Sequence, residues 1–435
     1  MLELIFNPVI LSIICLFILC LLRVNVLLSI IISTILGGLV SGMHITEIMN
    51  TFISGMGGNS ETALSYILLG AFAAAMNHTG LTDIVSEGII KFVNGKKRIL
   101  FTILILISMA SQNIIPIHIA FIPILIPPLL HTMNLMKIDR RAISCVLAFG
   151  LKTPYIVIPA GFGLIFQNLI AENMVQNGMI IAKNDVWKHM WILGLGMLIG
   201  LLIAIFVTYR KPREYNDILL KEDTQEHLKL NYKHYITILA ALITFGVQIL
   251  THSLPLGALC GLGIIFSLGA VKHSKMDKLM DEGIYMMGYV AFIMLVASGF
   301  ATVLKSTGGI EAFVNSAISI LPESQLATAL IMLFVGLVIT MGIGTFGTIP
   351  ILAVVFIPVF MKMGFNVAQT AIVLAAAAAL GDAGSPASDT TLGPTAGLNV
   401  DGQHNHIWDT CIPTFLHFNI ALILSALAGV VIFAS

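Results

Sequence analysis

An all-α polytopic membrane fold, made of two inverted repeats, is what this 435-residue sequence predicts. Three observations predict it. Charged residues are 10% of the chain and hydrophobic residues 57%, where a soluble domain carries about 25% charged; mean hydropathy is +0.98. Apolar runs of the roughly 17–25 residues needed to cross a bilayer recur from residue 7 to residue 434. A set of Gly, Pro and Thr motifs also returns, in order, in the second half of the chain.

Taken in order, the expected spans are 7–22, 24–43, 62–79, 142–170 and 187–209, then 235–251, 254–271, 285–304, 366–397 and 412–434. Two further apolar stretches, 97–130 and 325–361, break near their middles at Ser, Asn, Gly, Thr and Pro and read as re-entrant hairpins. Charge at helical spacing near 81–95 and 308–320 reads as interfacial helices. No hydrophilic stretch is long enough for a separate domain. The organisation is therefore a first repeat over 1–209, a cytoplasmic connecting loop over 210–234 and a second repeat over 235–435. The first run lacks a basic flank and a small-residue cleavage site, so it reads as a retained span.

Lys and Arg fix the expected orientation. With both termini outside a bacterial inner membrane, 17 of the 22 basic residues fall inside and Lys183, Lys188, Lys305 and Lys362 outside, as the positive-inside rule requires. The remaining one, Lys152, lies within a span. The repeat rests on ordered pairs: Thr79-Gly80-x-x-Asp83 with Thr307-Gly308-x-x-Glu311, Phe121-Ile122-Pro123 with Phe356-Ile357-Pro358, Thr153-Pro154 with Ser385-Pro386, and Gly161 with Gly393. Five crossings separate the halves, and an odd number inserts the second upside down.

Several functions are excluded. Net charge is zero, which gives nucleic acid no footprint. The five cysteines have no metal-ligand spacing, and neither a phosphate-binding Gly-x-x-x-x-Gly-Lys-Ser/Thr loop nor a His-Glu-x-x-His motif occurs. An aspartyl protease needs acids on two helices, whereas the intramembrane pair here is seven residues apart. No cofactor and no enzyme activity are expected.

Charge at membrane depth is costly and marks function. Only two of the 22 acidic residues, Asp382 and Asp389, fall there, within Gly381-Asp382-Ala383-Gly384-Ser385-Pro386-Ala387-Ser388-Asp389-Thr390-Thr391. Gly384 and Pro386 interrupt a helix, and a broken backbone survives in a membrane only where protein or water satisfies it. The freed carbonyls suit a cation and the amides an anion. In the first half the matching break is expected at Gly150-Leu151-Lys152-Thr153-Pro154. Lys152 then either pairs with Asp382 or Asp389 or snorkels to the interface. The hairpin tips add Ser108, Ser111, Gln112 and Asn113 before Pro116, and Thr340, Thr345 and Thr348 before Pro350. Their hydroxyls and amides fit sodium, a carboxylate or an amine, and also serve as helix-packing glue. Asp401, His404, His406 and Asp409 sit in a short inner loop that reads as solvated, with a metal clip or pH sensor as the alternative.

The string from Gly381 to Thr391 resembles the signature of the NhaC-type Na+/H+ antiporter family, within the larger ion transporter superfamily. Its continuation through Gly393-Pro394, Asp401-Gly402-Gln403-His404 and Ile407-Trp408-Asp409-Thr410 is similar to the YuiF-like branch, regarded as amino-acid and in particular histidine permeases. The resemblance implies a scaffold domain, a transport domain with two hairpins and two broken helices, a homodimer and elevator-like movement. It implies substrate contacts from Ser111, Asn113, Lys152, Thr153, Thr345, Thr348 and Ser385, and ion coupling through Asp382, Ser388, Asp389 and Thr390, with Na+ held at Asp382 and Asp389. Lys152 departs from the superfamily's paired sodium sites, where a fixed positive charge stands in for one ion. The expected function is transport of a small amino acid coupled to Na+ or H+; the alternative is Na+/H+ exchange with no organic substrate.

Overall fold

A computed structural model describes residues 7–22, 24–81, 84, 96–113, 118–216, 230–251, 253–309, 312, 321–343, 345–385 and 388–434. The segments read as interfacial helices lie almost wholly outside these residues. Seventeen α-helices run through the described residues. The first four are α1 (Pro8–Leu21), α2 (Val26–Val40), α3 (Ile45–Gly55) and α4 (Ser60–His78). Asn25 caps α2 by accepting from the Leu27 and Leu28 N–H groups. Helix α3 was not signalled as a span; it is short and buries only Ile48, Phe52 and Gly55 on one face.

Next come α5 (Lys97–Asn113) and α6 (His118–Leu135), α7 (Arg140–Val157) and α8 (Phe162–Gln176), and α9 (Trp187–Ile203). The second half holds α10 (Tyr232–Thr251), α11 (Leu254–Ser267) and the 31-residue α12 (Met276–Ser306). It continues with α13 (Gln325–Ile343), α14 (Thr345–Lys362), α15 (Val367–Ala379), α16 (Asp389–Leu398) and α17 (Ile412–Ile432). Five helical stretches among the described residues are long and apolar enough to cross a membrane, and a sixth appears if α7 and α8, bent by 45°, count as one.

Packing relates the halves. Helix α5 packs on α7 as α13 does on α15, α6 packs on α16 as α14 does on α8, and α9 lies along α17. Helices α4 and α12 cross so closely that a Cβ at Gly283 would stand 2.3 Å from the Ala71 backbone nitrogen. Further along α12 the Ser298 hydroxyl donates to the carbonyl of Gly55, the last residue of α3, at 2.8 Å. Both helices finish alike: Thr79 and Thr307 each donate a hydroxyl to a carbonyl three residues back at 2.6 Å, and Gly80 and Gly308 follow with φ of +77° and +67°.

The first break lies later than the sequence indicated. Lys152, Thr153 and Pro154 all sit inside α7, and the chain leaves helical geometry only at 158–161. A lone proline removes one donor but need not end a helix. Gly161, with φ +55°, makes the turn, a conformation that glycine adopts without strain. There is no room for a side chain there: a Cβ at Gly161 would meet the Asn113 carbonyl oxygen at 1.9 Å. The second break lies between the end of α15 at Ala379 and the start of α16 at Asp389, with Gly384 at φ +88°.

Candidate functional site

The two breaks bring α7 and the 380–384 turn together. Lys152, on the last turns of α7, donates to Asp382 Oδ2 at 3.0 Å. Their side chains are 1% and 15% exposed, so Lys152 does not snorkel to the interface. One turn further along the same face, the Tyr155 hydroxyl stands 3.5 Å from Asp382 Oδ2 and 3.3 Å from the Thr345 hydroxyl. The Ser388 and Thr345 hydroxyls also lie against the Asp382 carboxylate. A buried charge needs both a partner and hydrogen bonds, and this aspartate is met by polar groups from α7, α14 and the cap of α16.

Of the residues picked from sequence, Lys152, Thr345, Asp382, Ser388 and Thr390 meet here. Ser388 caps α16 by accepting from the Thr390 N–H and bonds the Thr390 hydroxyl at 2.8 Å. Ser385 lies in the same break, where its carbonyl accepts from the Thr391 hydroxyl at 2.6 Å. Asp389 opens α16, and its side chain lies outside what is described. Thr348 donates to the Thr345 carbonyl within α14. Thr153 points elsewhere, its hydroxyl reaching Met197 Sδ of α9 at 3.4 Å. In α5 the Ser111 hydroxyl turns back to the Ser108 carbonyl at 2.9 Å. Asn113 follows, buried, with both amide atoms lacking a hydrogen-bond partner among the described residues, as does Gln112 Oε1.

Tyr155 was missed by the sequence reading. Its ring packs among Phe166 and Phe346, with centroids 5.3 and 5.6 Å away, and Phe346 in turn meets Tyr66 and Phe162. Its place three residues after Lys152 was the available signal.

The 401–409 segment is solvated only in part: Gly402, Asn405, Ile407 and Trp408 are exposed, whereas the Asp401 and His404 side chains are not. Asp401 is buried in a two-pronged bond with Arg140, at 2.7 and 2.5 Å. Burial pushes the Asp401 carboxyl up, but the bonds from Arg140 outweigh it and hold the group below its ordinary range. His404 is buried against the Thr410 hydroxyl at 2.7 Å. Desolvation lowers it to about 4, Asp409 opposing and Arg140 and Arg213 adding to the shift. Among the described residues no group of three or more His, Cys, Asp or Glu side chains is arranged to hold a metal.

A bundle of apolar helices, two of them interrupted around a buried Lys–Asp pair, defines a secondary transporter. Comparison with known proteins narrows the class. Residues 146–430 match the Na+/H+ antiporter family, and residues 7–93 match a second profile described as a Na+-H+ antiporter family. The chain is 46% identical to the membrane protein VP2115 of Vibrio parahaemolyticus, over 96% of this chain and 98% of that one. It is 43% identical to a membrane protein of Haemophilus influenzae (96% and 97% covered) and 43% to the candidate amino acid transporter YuiF of Bacillus subtilis (96% and 98%). The chain belongs to the Na+/H+ antiporter family. It is a multi-pass protein of the bacterial inner membrane, a transporter and not an enzyme. Among solved structures it is similar to the YdaH transporter of Alcanivorax borkumensis, with TM-score 0.61 and 13% identity over 89% and 88% of the two chains. A similar likeness links it to Neisseria gonorrhoeae MtrF, described with a class of antimetabolite efflux pumps, at TM-score 0.58 and 13% identity over 88% and 84%. At that identity the likeness is one of fold.

Proposed function

We propose that this protein exchanges sodium for protons, and that the exchange takes place at the Lys152–Asp382 pair. The observation that carries the reading is the buried 3.0 Å contact between these two groups at a helix break. A sodium ion entering the site competes with the ammonium for the Asp382 carboxylate. Once displaced, Lys152 is an isolated charge in a low-dielectric interior, which is strongly unfavourable, and it sheds its proton. The site then holds one positive charge in either state: a proton on Lys152, or a sodium ion on Asp382. Ser388, Thr345 and Tyr155 supply neutral oxygen atoms to the ion, of the kind that hard cations prefer. Family membership supports the same reading.

The finer architecture belongs to this proposal: ten crossings, two re-entrant hairpins at α5–α6 and α13–α14, inverted repeats over 1–209 and 235–435, both termini outside, and an elevator movement in a homodimer. The matched packing of the halves and their identical helix ends at Thr79 and Thr307 support the repeat.

Amino-acid transport is the second reading. The 43% identity to the candidate amino acid transporter YuiF supports it, as does the pair itself, since a zwitterion can offer an amine to Asp382 and a carboxylate to Lys152. Purified protein in liposomes with an internal pH dye separates the two. Exchange is expected to give sodium-driven proton movement without amino acid, abolished by Asp382→Asn. Uptake of labelled amino acid, with no sodium-driven proton movement in its absence, would replace exchange with the second reading.

A further inference from the structure

Below the site, at the end of the bundle that the basic residues assign to the cytoplasm, lies a second buried ion pair that plays no part in the exchange chemistry. Arg140 opens α7 and is 0% exposed; Asp401, just beyond α16, is 3% exposed. The guanidinium bonds both oxygens of Asp401, the Leu398 carbonyl at the end of α16 at 2.9 Å, and Asn134 Oδ1 at the end of α6 at 3.0 Å. Such a two-pronged bond fixes geometry as well as charge.

A strap from the segment between the two halves closes over it. The Tyr215 ring covers the guanidinium at 4.3 Å, and its hydroxyl accepts from the Arg140 N–H at 3.0 Å, satisfying one of the donors left open at a helix start. On one side of the strap the Arg213 N–H donates to the Lys137 carbonyl. On the other, Arg213 bonds Asp409 at 2.9 Å, while Asn216 and Gln403 exchange two bonds at 2.7 and 2.8 Å. Gln403 also donates to Asp401 Oδ2 at 3.0 Å.

We propose that Arg140, Asp401 and Tyr215 are positioning residues, which clasp the ends of α7 and α16 so that Lys152 and Asp382 meet at bonding distance. The proposal rests on the exchange reading above. Lys152 lies twelve residues beyond Arg140, or about 18 Å along α7, and Ser388, set against Asp382, lies about 15 Å back along α16 from Leu398. The two helices pack together, so they form rails with the clasp as one rung and the Lys152–Asp382 contact as the other. A slip of one residue along either rail is about 1.5 Å, enough to part a 3.0 Å contact. A buried ion pair seldom adds stability over an apolar pair, and its best-attested use is to fix a register.

The test is sodium-driven proton movement in liposomes by the full chain. Tyr215→Ala and Asp401→Asn should each raise the sodium half-saturation by about tenfold while changing the maximal rate less than about twofold, and the double variant should be no worse than the worse single. Asp401→Glu, which keeps the two-pronged charge, should recover most of the affinity. Tyr215→Phe, the mildest change, should shift half-saturation in the same direction by less. Half-saturation that stays at the wild-type value, with only rate or yield reduced, would overturn the proposal. Spin labels at the exposed Leu135 and Val400, on a background without the native cysteines, read the clasped ends without relying on transport. Their distance distribution should widen in Tyr215→Ala, and an unchanged one would also overturn the clasp. A wild type that moves no protons with sodium would instead remove the exchange reading, and the label distances would still decide the clasp.

Discussion

Lys152 holds its ammonium out of solvent, and its carboxylate partner among the described residues, Asp382, is one that a sodium ion also wants, so this single side chain ties sodium entry to proton release. Replacing Lys152 by Gln removes the proton carrier and leaves Asp382 as an unpaired buried charge. We expect Lys152→Gln to lose sodium-driven proton movement and to become dependent on sodium for stability. Removing one partner of a buried pair costs about 3–5 kcal/mol, which a bound cation can offset. Melting midpoints with and without sodium chloride check this, and a variant whose midpoint ignores sodium would count against Asp382 as the ion's ligand. Gly161 is constrained in a different way. Gly161→Ala adds a Cβ 1.9 Å from the Asn113 carbonyl at a positive φ, so both overpacking and backbone strain apply. A loss of about 2–4 kcal/mol in thermal or denaturant unfolding is expected.

Among the elements, the 399–405 loop makes the clearest pH prediction. Its His404 titrates at about 4 when folded and at 6.5 otherwise. Between those values the unfolded chain takes up a proton that the folded chain refuses, so stability falls as acid is added, by about 3 kcal/mol over the whole window. Asp401 is also held below its ordinary value, but as an acid bonded by Arg140; its share is intact above the ordinary carboxylate range and is lost only below it, outside this window. His404→Gln should therefore flatten the wild-type decline in melting midpoint between pH 6.5 and 4. The elements around the two breaks show what the sequence conveyed and what it hid. The string from Gly381 to Thr391 was legible because acids, Gly and Pro stand out in an apolar run. Tyr155 was not, because an aromatic in a hydrophobic helix looks like packing until a charged neighbour is placed beside it. Arg140 and Asp401 each fall near an end of a helix, where charge ordinarily meets water, so nothing in either position announced a buried bond between them. Pro154 pointed to a break that the backbone makes at Gly161 instead.

At the scale of the whole molecule, the exchange reading has a consequence for charge. Because the pair carries one positive charge whether loaded with sodium or proton, one ion replaces one other. Sodium-driven proton movement in liposomes should then be indifferent to an imposed potassium–valinomycin potential. A rate that responds steeply to that potential would mean that a further group, such as Asp389, carries a proton as well. The buried pair at 3.0 Å thereby also sets where flow stops. With one-for-one exchange the carrier is at rest when the sodium ratio across the membrane equals the proton ratio. A sodium concentration tenfold higher outside can thus hold the interior about one pH unit more alkaline, whatever the membrane voltage. In that light the two side chains act as a thermostat for cytoplasmic acidity, its set point written by salt.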